Sequence, residues 1–315
     1  MKTSILALSL VLLSHQALLA AEKLRVVSLS TVLTELAQRV GGEDVTVTGL
    51  IKPGVDPHDF EPKPEDLKQV AASQIVLLSA KHMEGYVDKL HEAAGTQAVL
   101  LEVGNQVPSI KSAGGHHHHH HAEEAKKESA VGKKEDHDHD HESEENPHWW
   151  HSIENMRRAA RVLQTAFAKQ LPSAKDAFAT RAGQYVQELD DLEKWTKREI
   201  AKIPRNKRKL VTTHDAFQYF AQEFGFKLFP LEGITAEDQP SSKEVAELIE
   251  EIKEQKVPAV FIEDVANTKV TDTITKETGA KMGGMLYADG LGEGEAGTFV
   301  GMYKHNVNTI VEALK

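Results

Sequence analysis

The sequence predicts an α/β fold of two lobes, each a mainly parallel sheet flanked by helices, joined by one long rigid helix. Three observations predict it. Residues 24–103 alternate short β-branched apolar runs with helical patterns, and residues 209–314 do so again. Alternation of this kind builds a parallel sheet with helices on its faces. Between the two, from Pro172 to just before Pro204, apolar residues recur at helical spacing with no glycine pair or interior proline to bend them.

The first element, Met1–Ala20, reads as a secretory signal. Lys2 supplies the positive start, Ile5–Leu13 the apolar centre and Ala17–Ala21 a cleavage zone. The apolar run is short and broken by Ser14, His15 and Gln16, which argues against a spanning helix. An N-terminal lobe is expected over residues 21–112. Its strands are Leu24–Leu29, Val45–Ile51, Ile75–Ser79 and Ala98–Val103. Its helices are Thr31–Val40, stopped by Gly41 and Gly42, then Pro64–Ala72 with proline and acids in the first turn, then Glu84–Ala94.

Residues 113–146 break the pattern. They hold His116, His117, His118, His119, His120 and His121 in a row, then His137, His139 and His141 alternating with aspartates. With almost no large apolar residue to offset ordering entropy, the segment is expected to be disordered. Histidine- and Asp/His-rich tracts are compositional signs of metal binding, and these nine are assigned as auxiliary low-affinity sites. An inserted tag or a merely solvated loop are the bland readings. A tag is normally terminal, and it leaves the second tract unexplained.

The chain rejoins a folded pattern at Asn146-Pro147-His148-Trp149-Trp150-His151. Residues 147–170 should complete the N-terminal lobe, with Ile153, Met156, Ala160, Leu163 and Phe167 on one helical face. The linking helix, residues 171–204, carries Phe178, Tyr185, Leu189, Leu192 and Trp195 on its seam. It would run roughly 32 residues and about 48 Å. The seam is too short for a coiled-coil dimer, and a monomer is expected. The C-terminal lobe, residues 205–315, reads as strand Lys209–Thr213, helix Ala216–Phe224, strand Lys227–Pro230 and helix Ser242–Gln255 capped by Ser241 or Ser242. Strand Ala259–Glu263, helix Asn267–Thr278, strand Met282–Tyr287 and helix Thr298–Leu314 follow.

Charge and composition narrow the function. A net charge of −11 in an exported chain argues against nucleic acid. With Cys 0, neither a disulfide nor a lipid-bearing N-terminal cysteine is available, so a soluble periplasmic protein without lipid anchor is expected. Ligand-type residues sit just past three strands: His58 after Val45–Ile51, His214 after Lys209–Thr213, and Asp289 after Met282–Tyr287. Parallel sheets place their sites there. His148 stands where the histidine-rich segment ends. Across an interlobe cleft, three imidazoles and one carboxylate make the set that tetrahedral Zn²⁺ accepts.

These residues lie in motifs with a resemblance. Gly54-Val55-Asp56-Pro57-His58-Asp59-Phe60-Glu61-Pro62, a histidine-rich loop, Pro147-His148, Thr213-His214-Asp215-Ala216-Phe217-Gln218-Tyr219-Phe220 and Tyr287-Ala288-Asp289-Gly290-Leu291-Gly292 resemble the zinc-binding solute-binding proteins of ABC transporters. The likeness spans Leu24 to Leu314. It implies zinc captured as transported ligand in the periplasm and delivered to a membrane permease, with a periplasmic metallochaperone as a further candidate partner. Carried over by position, the ligands are His58, His148, His214 and Asp289. Relatives selective for manganese carry Glu where this chain has His214, so imidazole there shifts the preference away from manganese or iron. Two departures stand out. His151 departs from the Trp-Leu-Asp-Pro run that often follows the site histidine in the family, and it is expected to support the site from behind or to lie at the surface. Lys81-His82-Met83-Glu84 replaces a more glycine-rich turn, and His82 follows a strand end near the cleft. His91 and His305 read as surface or packing residues, and Trp149 and Trp150 as loop anchors. The competing class is a zinc hydrolase. It would need an open coordination position and a base, and only Glu61 stands near a ligand without an HExxH pattern, so no catalytic residue is assigned.

Overall fold

A computed structural model of the 315-residue chain describes residues 22–111, 145–233, 240–264 and 268–315. The expected signal segment and the loop histidines, His116 to His121 with His137, His139 and His141, lie outside the described residues. The N-terminal elements are β1 (Leu24–Ser28), α1 (Thr31–Gly41), β2 (Val45–Gly49), α2 (Pro64–Ala72), β3 (Ile75–Leu78), α3 (Val87–Ala94) and β4 (Val99–Glu102). Then come α4 (Ile153–Gln170) and α5 (Lys175–Ile200). The C-terminal elements are β5 (Lys209–Thr212), α6 (Gln218–Phe224), β6 (Lys227–Pro230), α7 (Ser242–Gln255), β7 (Ala259–Glu263), α8 (Thr268–Thr278), β8 (Lys281–Leu286) and α9 (Phe299–Leu314).

The two sheets share one topology. Their orders are β2-β1-β3-β4 and β6-β5-β7-β8, with parallel pairs throughout. In each, the order reverses beside the first strand, and ligand crevices form at such switch points. Strand alternation sorts the core into layers. Leu24 and Val26 of β1 face an inner apolar core, while Val27 joins an outer cluster with Val70 and Leu90. Val211 and Val260 likewise face a separate outer cluster in the second lobe. The inner core is continuous from β1 and α1 through α4 and α5 to β8 and α9. Helix α5 packs on both α1 and α9, burying Phe178, Ala182, Tyr185, Leu189 and Leu192 at three- and four-residue intervals. Each such side chain favours the packed state by about 2 kcal/mol, so swinging the lobes apart at this core is costly.

The linking helix differs from expectation. Its α-helical part has 26 residues, about 39 Å at 1.5 Å per residue, rather than starting at Pro172. Pro172–Ala174 form a 3₁₀ turn after α4 closes with the Leu171 N–H on the Phe167 carbonyl at 2.8 Å. Proline has no N–H and pre-sets φ, so it starts a tight turn here and the wider helix begins after it. Helix α3 also starts later than expected, at Val87 rather than Glu84. The Glu84 carboxylate folds back to accept the N–H groups of Ser79 and Ala80, at 2.6 and 2.9 Å. These bonds hold Ala80, Lys81 and His82 at φ of 63°, 55° and 68°. Left-handed backbone costs a non-glycine residue about 1–2 kcal/mol, which explains the glycine preference expected of this turn.

Candidate metal centre

Each ligand candidate is delivered by a local device the sequence encodes. After β2, the Val55 N–H donates to the Lys52 carbonyl at 3.1 Å, in a turn where Gly54 has φ of 78°. Asp56 then accepts the His58 N–H at 2.8 Å, an Asx turn that aims the imidazole inward. His148 precedes a 3₁₀ turn, Trp149–His151. The Asn146 side-chain amide donates to the Asp215 carbonyl at 2.6 Å, which fixes its oxygen toward His148. That oxygen lies 3.0 Å from both the backbone N and Nδ1 of His148. With the Nδ1 proton placed by this network, the His148 Nε2 presents a bare lone pair.

His214 lies two residues past the end of β5, and Glu263 ends the adjacent β7. Topology sets the two side by side. The Glu263 carboxylate accepts from His214 Nδ1 and, at 3.1 Å, from the Thr213 N–H. A carboxylate behind a histidine orients the ring and strengthens it as a ligand. Asp289 follows β8, and the Leu291 N–H beyond it donates to Thr31 Oγ1 of α1 at 2.8 Å. A Cβ on Gly290 would lie 2.5 Å from that hydroxyl, so glycine permits this interlobe approach.

The structure brings all four expected ligands together. One ligand atom each from His58, His148, His214 and Asp289 lies within 4.8 Å of the others. His148 Nε2 is 3.4 Å from His58 Nε2 and 3.3 Å from His214 Nε2. Asp289 Oδ1 is 3.0, 3.3 and 3.7 Å from the Nε2 atoms of His148, His214 and His58. A tetrahedron with bonds of 2.0–2.1 Å has edges of about 3.3 Å. Asp289 Oδ2 is buried without a hydrogen-bond partner. Several bare acceptors facing one point fit a cation.

Burial and charge act in opposite directions here. Burial drives His148 down to about 3, against the pull of Asp289. Burial also opposes a charge on His214, but the Glu263 and Asp289 carboxylates outweigh it and hold that imidazole well above its ordinary range. For Asp289 burial raises the value, yet His214 and hydrogen bonds to the imidazoles keep it well below the usual carboxylate range.

The remaining candidates fall elsewhere. His151 is 1 % exposed and its Nε2–H donates to the Ala288 carbonyl at 2.9 Å, so it stands behind the cluster. His82 is exposed, and Glu61 is exposed too. His91 is part-exposed, and His305 Nε2 bonds the Met285 carbonyl at 3.0 Å. Trp149 donates to the Ser79 carbonyl and Trp150 to that of Ala288, both at 3.0 Å, anchoring the turn to both lobes. Sequence reasoning missed Glu263 and Asn146. The available signal was position: a strand-end carboxylate, and an Asx residue two before a ligand.

Comparison with known proteins fits this geometry. The family model described as zinc-uptake complex component A, periplasmic (ZnuA), matches residues 26–313. The manganese-binding lipoprotein MntA of Bacillus subtilis is 34 % identical over 94 % of this chain and 91 % of its own length. The iron-binding protein YfeA of Yersinia pestis is 28 % identical over 93 % of this chain and 86 % of its own. The solved periplasmic zinc-binding protein TroA of Treponema pallidum superposes with a TM-score of 0.79 at 26 % identity, over 93 % of this chain and 99 % of that one. The match from residue 26 to 313 covers both sheets and all four converging side chains, and the chain belongs to this family of periplasmic metal-binding proteins that serve ABC transporters.

Proposed function

We propose that this protein captures Zn²⁺ in the periplasm through His58, His148, His214 and Asp289 and delivers it to the membrane permease of an ABC transporter. One observation carries the metal choice: among three imidazole nitrogens and one carboxylate oxygen, all within 4.8 Å of one another, five of the six separations are 3.0–3.7 Å, near the edges of a four-coordinate zinc site. Relatives named for manganese and for iron make those ions the second reading. An oxygen-rich octahedral set suits manganese, and the nitrogen majority here weighs against it. The cleft ligands would be served by lobes of residues 21–112 with 147–170 and of 205–315. The loop histidines, His116 to His121, His137, His139 and His141, would hold further zinc at lower affinity, and a periplasmic metallochaperone could load them.

Among the described residues no helix is long and apolar enough to cross a membrane. Relatives such as the two MntA proteins are named lipoproteins, whereas the 315 residues here include no cysteine, and soluble export of a monomer belongs to the same proposal. Cell fractionation tests that part. The function is tested by metal content after purification without added metal, with competition titration of Zn²⁺ against Mn²⁺. One tight Zn²⁺ per chain at the cleft supports it; a tight site that prefers Mn²⁺ refutes it.

A further inference from the structure

His151 lies outside the four-atom cluster, yet its contacts lead back to Asp289. It ends the Trp149–His151 turn, and its ring rests on Phe217 with centroids 4.5 Å apart. The Ala288 carbonyl lies 2.9 Å from His151 Nε2 and 3.0 Å from the Trp150 Nε1–H. A carbonyl only accepts, so His151 carries its proton on Nε2 and both lone pairs of that oxygen are occupied. Downstream, Thr31 holds the Leu291 N–H at 2.8 Å. The backbone is therefore fixed from other elements on both sides of Asp289. Its carboxylate takes one attitude, with Oδ1 at 3.0–3.7 Å from three imidazoles and Oδ2 buried without a partner.

We propose that His151 is a positioning residue that sets metal selectivity: by fixing the Ala288 carbonyl it makes Asp289 present a single oxygen, which favours a four-coordinate ion over one that needs more oxygens. Without its N–H, one lone pair of a buried carbonyl loses its partner and the Ala288–Asp289 peptide is driven to reorient. A freed carboxylate can turn to offer both oxygens, as larger oxygen-seeking ions require. The inference rests on the zinc reading above.

The test compares Zn²⁺ and Mn²⁺ affinities of the full chain at substoichiometric metal, so that the tightest site alone is read. His151→Phe should weaken Zn²⁺ about tenfold, as loss of a partner behind a ligand does, while Mn²⁺ holds or tightens, so the Zn/Mn ratio falls. His151→Gln, whose amide N–H can reach the same carbonyl, should restore the ratio. Where the Phe variant lacks the native circular dichroism of the metal-free parent, His151→Leu replaces it as the variant without a donor. A ratio unchanged in the variant without a donor overturns the proposal. So does equal weakening of both metals without recovery in His151→Gln. A parent that does not prefer Zn²⁺ instead removes the zinc reading itself.

Discussion

The buried histidines of the site and the histidine on its turn are held unequally. His148 and His214 are fully buried, and each has its second ring nitrogen engaged, by Asn146 and Glu263 respectively. His58 comes from a turn whose neighbour Val55 is 44 % exposed, and its position depends on a backbone bond to Asp56. Among the described residues no side chain is recorded holding its Nδ1. His148 and His214 thus have a partner behind the ring, and His58 is held through its backbone turn. This follows from topology: His214 and Glu263 end neighbouring strands at a switch point, whereas His58 rides a long connection from an edge strand.

The largest effects should separate these classes. His148→Ala and His214→Ala should each cost Zn²⁺ affinity more than the roughly hundredfold that bounds loss of an outer partner. His58→Ala should cost less than either, because water can occupy its side of the cleft. Competition titration ranks the three, and a His58 loss equal to the others would erase the distinction. Next, Glu263→Gln should lower affinity about tenfold by removing the charge behind His214. It should also flatten the pH dependence described next.

That pH dependence is specific. In the metal-free protein His214 is held above its ordinary 6.5, whereas His148 lies at about 3 and is already neutral. Asp289 is depressed and stays ionised. Zn²⁺ must therefore expel the His214 proton but none from His148, and this step alone should raise affinity about tenfold per pH unit from 6.5 up to the raised value. The metal-free fold follows the opposite sign: the stabilisation from a charged His214 is complete below 6.5 and is lost as pH rises through its folded value. Proton release measured by calorimetry in two buffers should fall short of the three that three charged imidazoles would give, because His148 is already neutral.

The smallest effect concerns the loop. Deleting residues 115–144 should leave the tight site intact, because Lys111 and Glu145 are bridged at its base and the Lys81 amine holds Glu145 at 3.1 Å. Stoichiometry above one zinc per chain should disappear. Loss of the single tight site would put loop histidines among its ligands.

Much of this was legible from sequence. His58, His214 and Asp289 could be found because residues just past parallel strands face a common crevice, and that rule needs no strand order. Glu263 could not be found the same way, since its meaning depends on β7 lying beside β5, and pairing order is a long-range property. Pro172 opens the helical pattern in the sequence but a 3₁₀ turn in the structure, since which turn a proline opens depends on the preceding helix end packed against it. His151 stood out as unusual, but its partner, a carbonyl far along the chain, has no sequence signature.

The central claim is a closed, nitrogen-rich, four-coordinate site. X-ray absorption of the protein loaded with less than one equivalent of Zn²⁺ tests it most directly. The account predicts about three imidazole nitrogens and one oxygen at about 2.0–2.1 Å. A five- or six-coordinate, oxygen-rich shell would contradict it.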